Sequence, residues 1–157
     1  PWYFVGFQEL QIHFHPVFAV LVIPLTAMIC LVWWPYRRQE VDQSGVLCGS
    51  QVGRRTAIMA AVTGLLVTPL LILADEKWLQ ELGWPAGLPA VISHGLVPFL
   101  ALAGAVLGFR WFLRKQPKAT REDADQAVFV LLLVAFAVLT VTGVWFRGEG
   151  MALVWPW

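Results

Sequence analysis

Charge is what this sequence has least of for its size: Asp, Glu, Lys and Arg make up 13% of its 157 residues, against 59% hydrophobic residues. A soluble domain carries about 25% charged residues, because charge keeps a folded surface hydrated. A chain this short and this apolar cannot cover itself with polar groups, so lipid or partner subunits must take up the excess. Cysteine is also scarce. Cys30 sits in an apolar run and Cys48 in a polar stretch, which excludes a disulfide framework and a Cys-x-x-Cys site. A formal charge of +1 provides no basic field for nucleic acid. No Met opens the sequence and no charged stretch precedes an apolar run, so no signal peptide is read and the natural N-terminus is expected upstream of Pro1.

What the sequence does have is long oily runs. Lipid offers open backbone groups no partner, so crossing the bilayer takes about 20 mostly apolar residues wound as helix. Residues 14–36, 56–74, 91–113 and 121–146 qualify. The expected fold is an all-α integral membrane protein of one domain, 1–157, with about four transmembrane helices. Pro16 suits the first turn of the first helix, Pro24 is placed to kink it, and Trp33, Trp34 and Tyr36 close it in an aromatic belt. Pro69 and Pro98 are read as further kinks. The second helix stops at Asp75 and Glu76. The run Gly83-Trp84-Pro85-Ala86-Gly87-Leu88-Pro89 cannot continue it, so 75–90 reads as an interfacial loop, with Trp78 to Trp84 along the membrane surface. Gly95, Ala101, Gly104 and Gly108 suggest a close helix contact for the third helix. Thr120, followed by Glu122 and Asp123, supplies an N-cap and first-turn acids for the fourth.

Orientation follows from the basic residues, since short loops rich in them stay cytoplasmic. All of the 11 Lys and Arg except Lys77 and Arg147 lie after the first helix (Arg37, Arg38, Arg54, Arg55) or after the third (Arg110, Arg114, Lys115, Lys118, Arg121). Those loops are expected inside. Both chain ends and the 75–90 loop, which carry Glu9, Asp75, Glu76, Glu81 and Glu149, are then periplasmic.

Little chemistry is written in the spans. Their interiors lack Asp, Glu, Lys and Arg, so neither a proton relay nor an ion path through the bilayer is legible. The three His, His13, His15 and His94, fall near one membrane face. A heme held by His94 with His13 or His15 is geometrically allowed, but interfacial, hydrogen-bonded His are the commoner outcome, and no metal site is assigned. The opening segment 1–13 is dense in aromatics around one acid, Glu9. Such a slot suits a quinol, whose flat ring packs on aromatic faces while a carboxylate takes its proton; it also suits a simple interfacial anchor.

Pro1-Trp2-Tyr3-Phe4, with Gly6, Gln8-Glu9-Leu10 and Pro16 after it, resembles the segment of cytochrome b that carries the Pro-Glu-Trp-Tyr motif. It is most similar to the Pro-Trp-Tyr-Phe and Gln-Glu-Leu form found in C-terminal cytochrome b-like subunits of bacterial menaquinol:cytochrome c reductases. The ending Thr142-Gly143-Val144-Trp145-Phe146-Arg147-Gly148-Glu149-Gly150, with Trp155-Pro156-Trp157, resembles the Phe-Arg-Gly and Trp-rich tail of that branch. Likeness covers about 1–38 and 118–157, and the helix pair between looks like an added hairpin. The resemblance implies a non-autonomous subunit of a quinol-oxidising electron-transfer complex in a bacterial inner membrane, with a quinone pocket lined by Trp2, Tyr3 and Phe7. It also implies that a partner heme b subunit, not this chain, carries the hemes, and that an iron–sulfur protein and a c-type cytochrome complete the set. Menaquinone use is implied by the same likeness. The motif Glu is missing between Pro1 and Trp2, so Glu9 is the nearby candidate proton acceptor, and Arg147 with Glu149 reads as an interfacial pair. Without a working quinone site, the same residues would make a cytochrome b-derived structural anchor.

Overall fold

A computed structural model describes residues 2–33, 36, 47–79, 88–148 and 151–154, and of residues 2, 3, 78 and 79 only the backbone. Five helices follow one another: α1 (Trp2–His13), α2 (Phe18–Trp33), α3 (Gln51–Ala74), α4 (Ile92–Arg114) and α5 (Arg121–Trp145). The spans Gln51–Lys77, Ile92–Arg114 and Arg121–Trp145 are long and apolar enough to cross a membrane, and α2 is a shorter apolar helix. The chain is a helical, multi-pass membrane protein. Residues 80–87 of the 75–90 loop and Glu149 fall outside the described residues.

Each helix start has a local cause. Ser50 is extended and its side chain accepts from Gly53 N at 2.7 Å, so α3 begins at Gln51, ahead of its apolar run. Thr120 heads α5 in a capping box: Asp123 N donates to Thr120 Oγ1 at 3.1 Å and Thr120 N donates to Asp123 Oδ2 at 3.0 Å. Pro24 and Pro98 each follow a wide, π-type turn, Phe18–Val22 and Ile92–Leu96. A proline ring clashes with the carbonyl four residues before it, here within those turns, and the wider winding relieves the clash.

The close contact in the bundle is between α3 and α5, not the one suggested for the third membrane stretch. Gly53, Thr56, Ala60 and Gly64 form a buried stripe of small residues on α3, spaced three and four apart. They meet Asp123, Ala124, Ala127 and Val128 of α5, with Leu113 of α4 completing the core. A Cβ on Gly64 would press on Leu131 O and Val134. On α4, by contrast, Gly104 and Gly108 have nothing within 4 Å among the described residues, and only Gly95 is packed, under the Phe18 ring. In lipid, small residues pay off where they let two backbones approach, and sequence alone could not say which stripe had a partner.

Helix starts α3 and α5 are tied to each other at the same end. Ser50 Oγ donates to Asp123 Oδ1 at 2.8 Å, and Cys48 N donates to Gln126 Oε1 at 2.7 Å. Asp123 therefore serves its own cap and the neighbouring one. Asp123→Ala is expected to lower stability by about 1–3 kcal/mol, more than a single cap, and Ser50→Ala by about 1 kcal/mol, read by thermal unfolding in detergent. Equal losses would show that the shared carboxylate adds nothing.

Candidate functional site

The segment 1–13, expected as an aromatic lining, is itself a helix. At 12 residues, α1 is about 18 Å long, too short for a hydrocarbon core of about 30 Å. One face is set by Gly6, Glu9 and His13, spaced three and four apart. Gly6 lets α1 lie against α5, since a Cβ there would strike Thr140 and Phe136; reciprocally, a Cβ on Gly143 would strike Val5. This contact carries Glu9 into the protein, where it is 1% exposed.

A buried carboxylate without partners is costly, and here the tail supplies the partner. After α5 the chain turns back in a small hairpin: Gly148 N donates to Ala152 O at 3.0 Å, and Val154 N to Phe146 O at 2.8 Å. Met151 takes a positive φ of 63° in that turn. The hairpin presents Arg147, whose side chain is 3% exposed, to both α1 and α3. Its Nε donates to the two Glu9 oxygens at 3.1 and 3.0 Å, and Nη2 donates to Glu9 Oε1 at 2.6 Å. Nη1 donates to Glu76 at 3.1 and 3.0 Å and to Met151 O at 2.7 Å. The planar fork thus grips two carboxylates on different helices, a geometry that lysine cannot reproduce.

His13 continues the chain of charges. Its Nδ1 lies 2.6 Å from Asp75 Oδ2, and its Nε2 faces Glu9 Oε1 at 3.4 Å, an ion-pair distance outside hydrogen-bond geometry. Burial pushes the imidazole down, but carboxylates on both sides outweigh it and hold His13 above its ordinary value. Burial pushes the Glu9 carboxyl up, and the His13 and Arg147 contacts outweigh that and hold it below the carboxylate range.

Beside this cluster lies a cleft of about 470 Å³, lined by residues 11–16 with Asp75 and His94. His15 N donates to His94 O at 2.8 Å, which ties the α1–α2 turn to the start of α4, and Phe18 packs on Phe99 with ring centroids 5.6 Å apart. All three His therefore gather at one place. Both His13 nitrogens face carboxylates, while His15 and His94 are joined by a backbone hydrogen bond. Among the described residues no group of three or more His, Cys, Asp or Glu is placed to hold a metal ion.

Of the other residues named from sequence, Trp2 and Tyr3 occupy the first turn of α1, and Phe7 is half-buried, edge-on to Phe4 at 5.5 Å. Arg147 engages Glu9 and Glu76. Asp75 and Glu76 were legible only as a helix boundary; that an acid pair follows an oily run was the one signal that they might meet the lone basic residue of the tail. No protein-family model, no curated protein and no solved structure matches the chain.

The shifts give a pH prediction with a definite sign. His13, raised, contributes stability that is whole below its ordinary 6.5 and lost as pH climbs through its raised value. Glu9, lowered, contributes stability that is whole above 4.5 and lost as pH falls through its lowered value. Thermal unfolding in detergent should show a plateau between those ordinary values, with a decline on the alkaline side that His13→Gln abolishes. A His13→Gln protein that keeps the alkaline decline would locate its cause elsewhere.

Proposed function

We propose that this chain is a membrane subunit of a quinol-oxidising electron-transfer complex in a bacterial inner membrane, working beside a heme b subunit rather than alone. What carries the reading is the clamp on α1: the helix that bears the Pro-Trp-Tyr-Phe resemblance is fixed against α3 and α5 by Arg147, itself part of the resembling tail, next to a polar cleft. In this reading α2 is a fourth span, and the clamp end faces the periplasm, as the distribution of Lys and Arg favours. Menaquinol would supply two electrons to an iron–sulfur protein and heme centres in neighbouring chains, release its two protons and leave as menaquinone, and a c-type cytochrome would follow. Two surfaces suit the neighbours: the apolar α2 face of Leu25, Met28, Ile29, Val32 and Trp33, and the small-residue face of α4 at Gly104 and Gly108.

Glu9 takes a positioning role here. Arg147 occupies both of its oxygens and its pKa is lowered, so it is a poor acceptor for a quinol proton. The same observation favours a second reading, a cytochrome b-derived anchor in which the clamp is purely structural.

Purified with its neighbours, the chain should bring b-type heme and menaquinol oxidation. Tyr3→Ala should then lower kcat/KM by about tenfold at unchanged heme content, while an anchor would keep full turnover. Cys48 should react with a membrane-impermeant thiol reagent only after the cytoplasmic side is opened; labelling from outside intact cells would reverse the orientation.

A further inference from the structure

Of the expected lining residues, Trp2 and Tyr3 sit at the end of α1 opposite the polar cleft and Phe7 lies midway along it. Trp2 and His13 are eleven residues apart, about 17 Å along a helix, so a single aromatic ring cannot touch both. Three features fit the cleft to a ring carrying two oxygens. Its volume of about 470 Å³ lies within the range of small-molecule sites. Its lining is mixed, with Ile12, Phe14 and Pro16 offering apolar surface and His15, His94 and Asp75 offering polar groups. Its place is the end of the bundle where α3 finishes and α4 begins, the depth at which an amphipathic head group with a lipid-soluble tail comes to rest.

The polar groups can serve both oxidation states. A quinone only accepts hydrogen bonds, whereas a hydroquinone also donates them. His15 Nδ1 accepts from Val17 N at 3.3 Å, so the neutral ring carries its proton on Nε2 and donates from there. Asp75 is a carboxylate acceptor already held in place by His13, and its side chain is 22% exposed. The wall is firm as well, because Asp75 and His13 belong to the network that Arg147 and Glu9 complete.

Resting on the quinol reading above, we propose that the quinone head group is seated in the cleft between the α1–α2 turn and the facing ends of α3 and α4, with His15 and His94 toward its carbonyl oxygens and Asp75 toward a hydroquinone hydroxyl. The aromatic start of α1 is then within reach of the prenyl tail rather than of the ring.

An azido-naphthoquinone with the azide on its ring, irradiated in the purified complex, tests the placement by mass spectrometry. Label within residues 11–16 or beside His94 is expected, and excess menaquinone should suppress it. His94→Leu, at an exposed position, should raise the KM for menaquinol about tenfold while kcat changes less, and His15→Leu gives the same test at a second site. Label confined to the Trp2–Phe7 segment or to a neighbouring subunit, in a complex that still oxidises quinol, would overturn the seat and leave the quinol reading standing. A complex that neither binds the probe nor oxidises quinol would overturn both.

Discussion

One guanidinium holds this end of the molecule together. Glu9 and Arg147 are 138 residues apart in sequence, and Glu76 lies between them, yet the three meet through five nitrogen-to-oxygen contacts of 2.6–3.1 Å. Without that meeting α1 would carry a naked carboxylate into the protein, and the helix would leave α5 despite the good fit at Gly6 and Gly143. Breaking a buried pair by removing one partner costs about 3–5 kcal/mol, mostly because the remaining charge is stranded. The worth of the clamp lies in what it forbids: other placements of α1 leave Glu9 or Arg147 buried alone.

The charges also explain why His13 belongs to the cluster. Glu9, Asp75 and Glu76 are three acids facing one arginine, and a protonated His13 between Glu9 and Asp75 brings the sum closer to balance. The opposite end of the bundle is built otherwise. There the polar groups are helix caps joined through Asp123, with Arg110 paired to Asp125 nearby, and the core above them is small and apolar. One end is thus built on helix caps that sequence neighbours supply, joined across α3 and α5 by two hydrogen bonds, the other on a network of charges drawn from distant parts of the chain. A network of the second kind couples to pH and to ligands more readily, since each member's charge depends on the others.

That contrast decides what could be read from sequence. The oily runs gave three long spans to within a few residues, except where Ser50 starts α3 early, and the Thr120 cap was visible because a capping box is a local pattern. Helix α1 was not visible. Its apolar and aromatic residues are mixed with Gln8, Glu9, Gln11 and His13 around the helix, so no periodicity separates a buried face from an exposed one, and Glu9 reads as a solvated acid until α5 covers it. The Gly53, Thr56, Ala60 and Gly64 stripe was equally hidden, because α4 offers a competing set of small residues. The three His were expected near one face and do share one cleft, but His13 is also held by Asp75, 62 residues away, which no spacing rule connects to it.

The central claim is that Glu9 and Arg147 stabilise the protein only as a pair. A double-mutant cycle with Glu9→Gln and Arg147→Gln, measured as unfolding free energy in the assembled membrane protein, tests it directly. Each single change should be strongly destabilising, and the double change should cost clearly less than the two added together, a coupling of about 2 kcal/mol or more. Losses that simply add would mean that the two groups act independently and that something else secures α1.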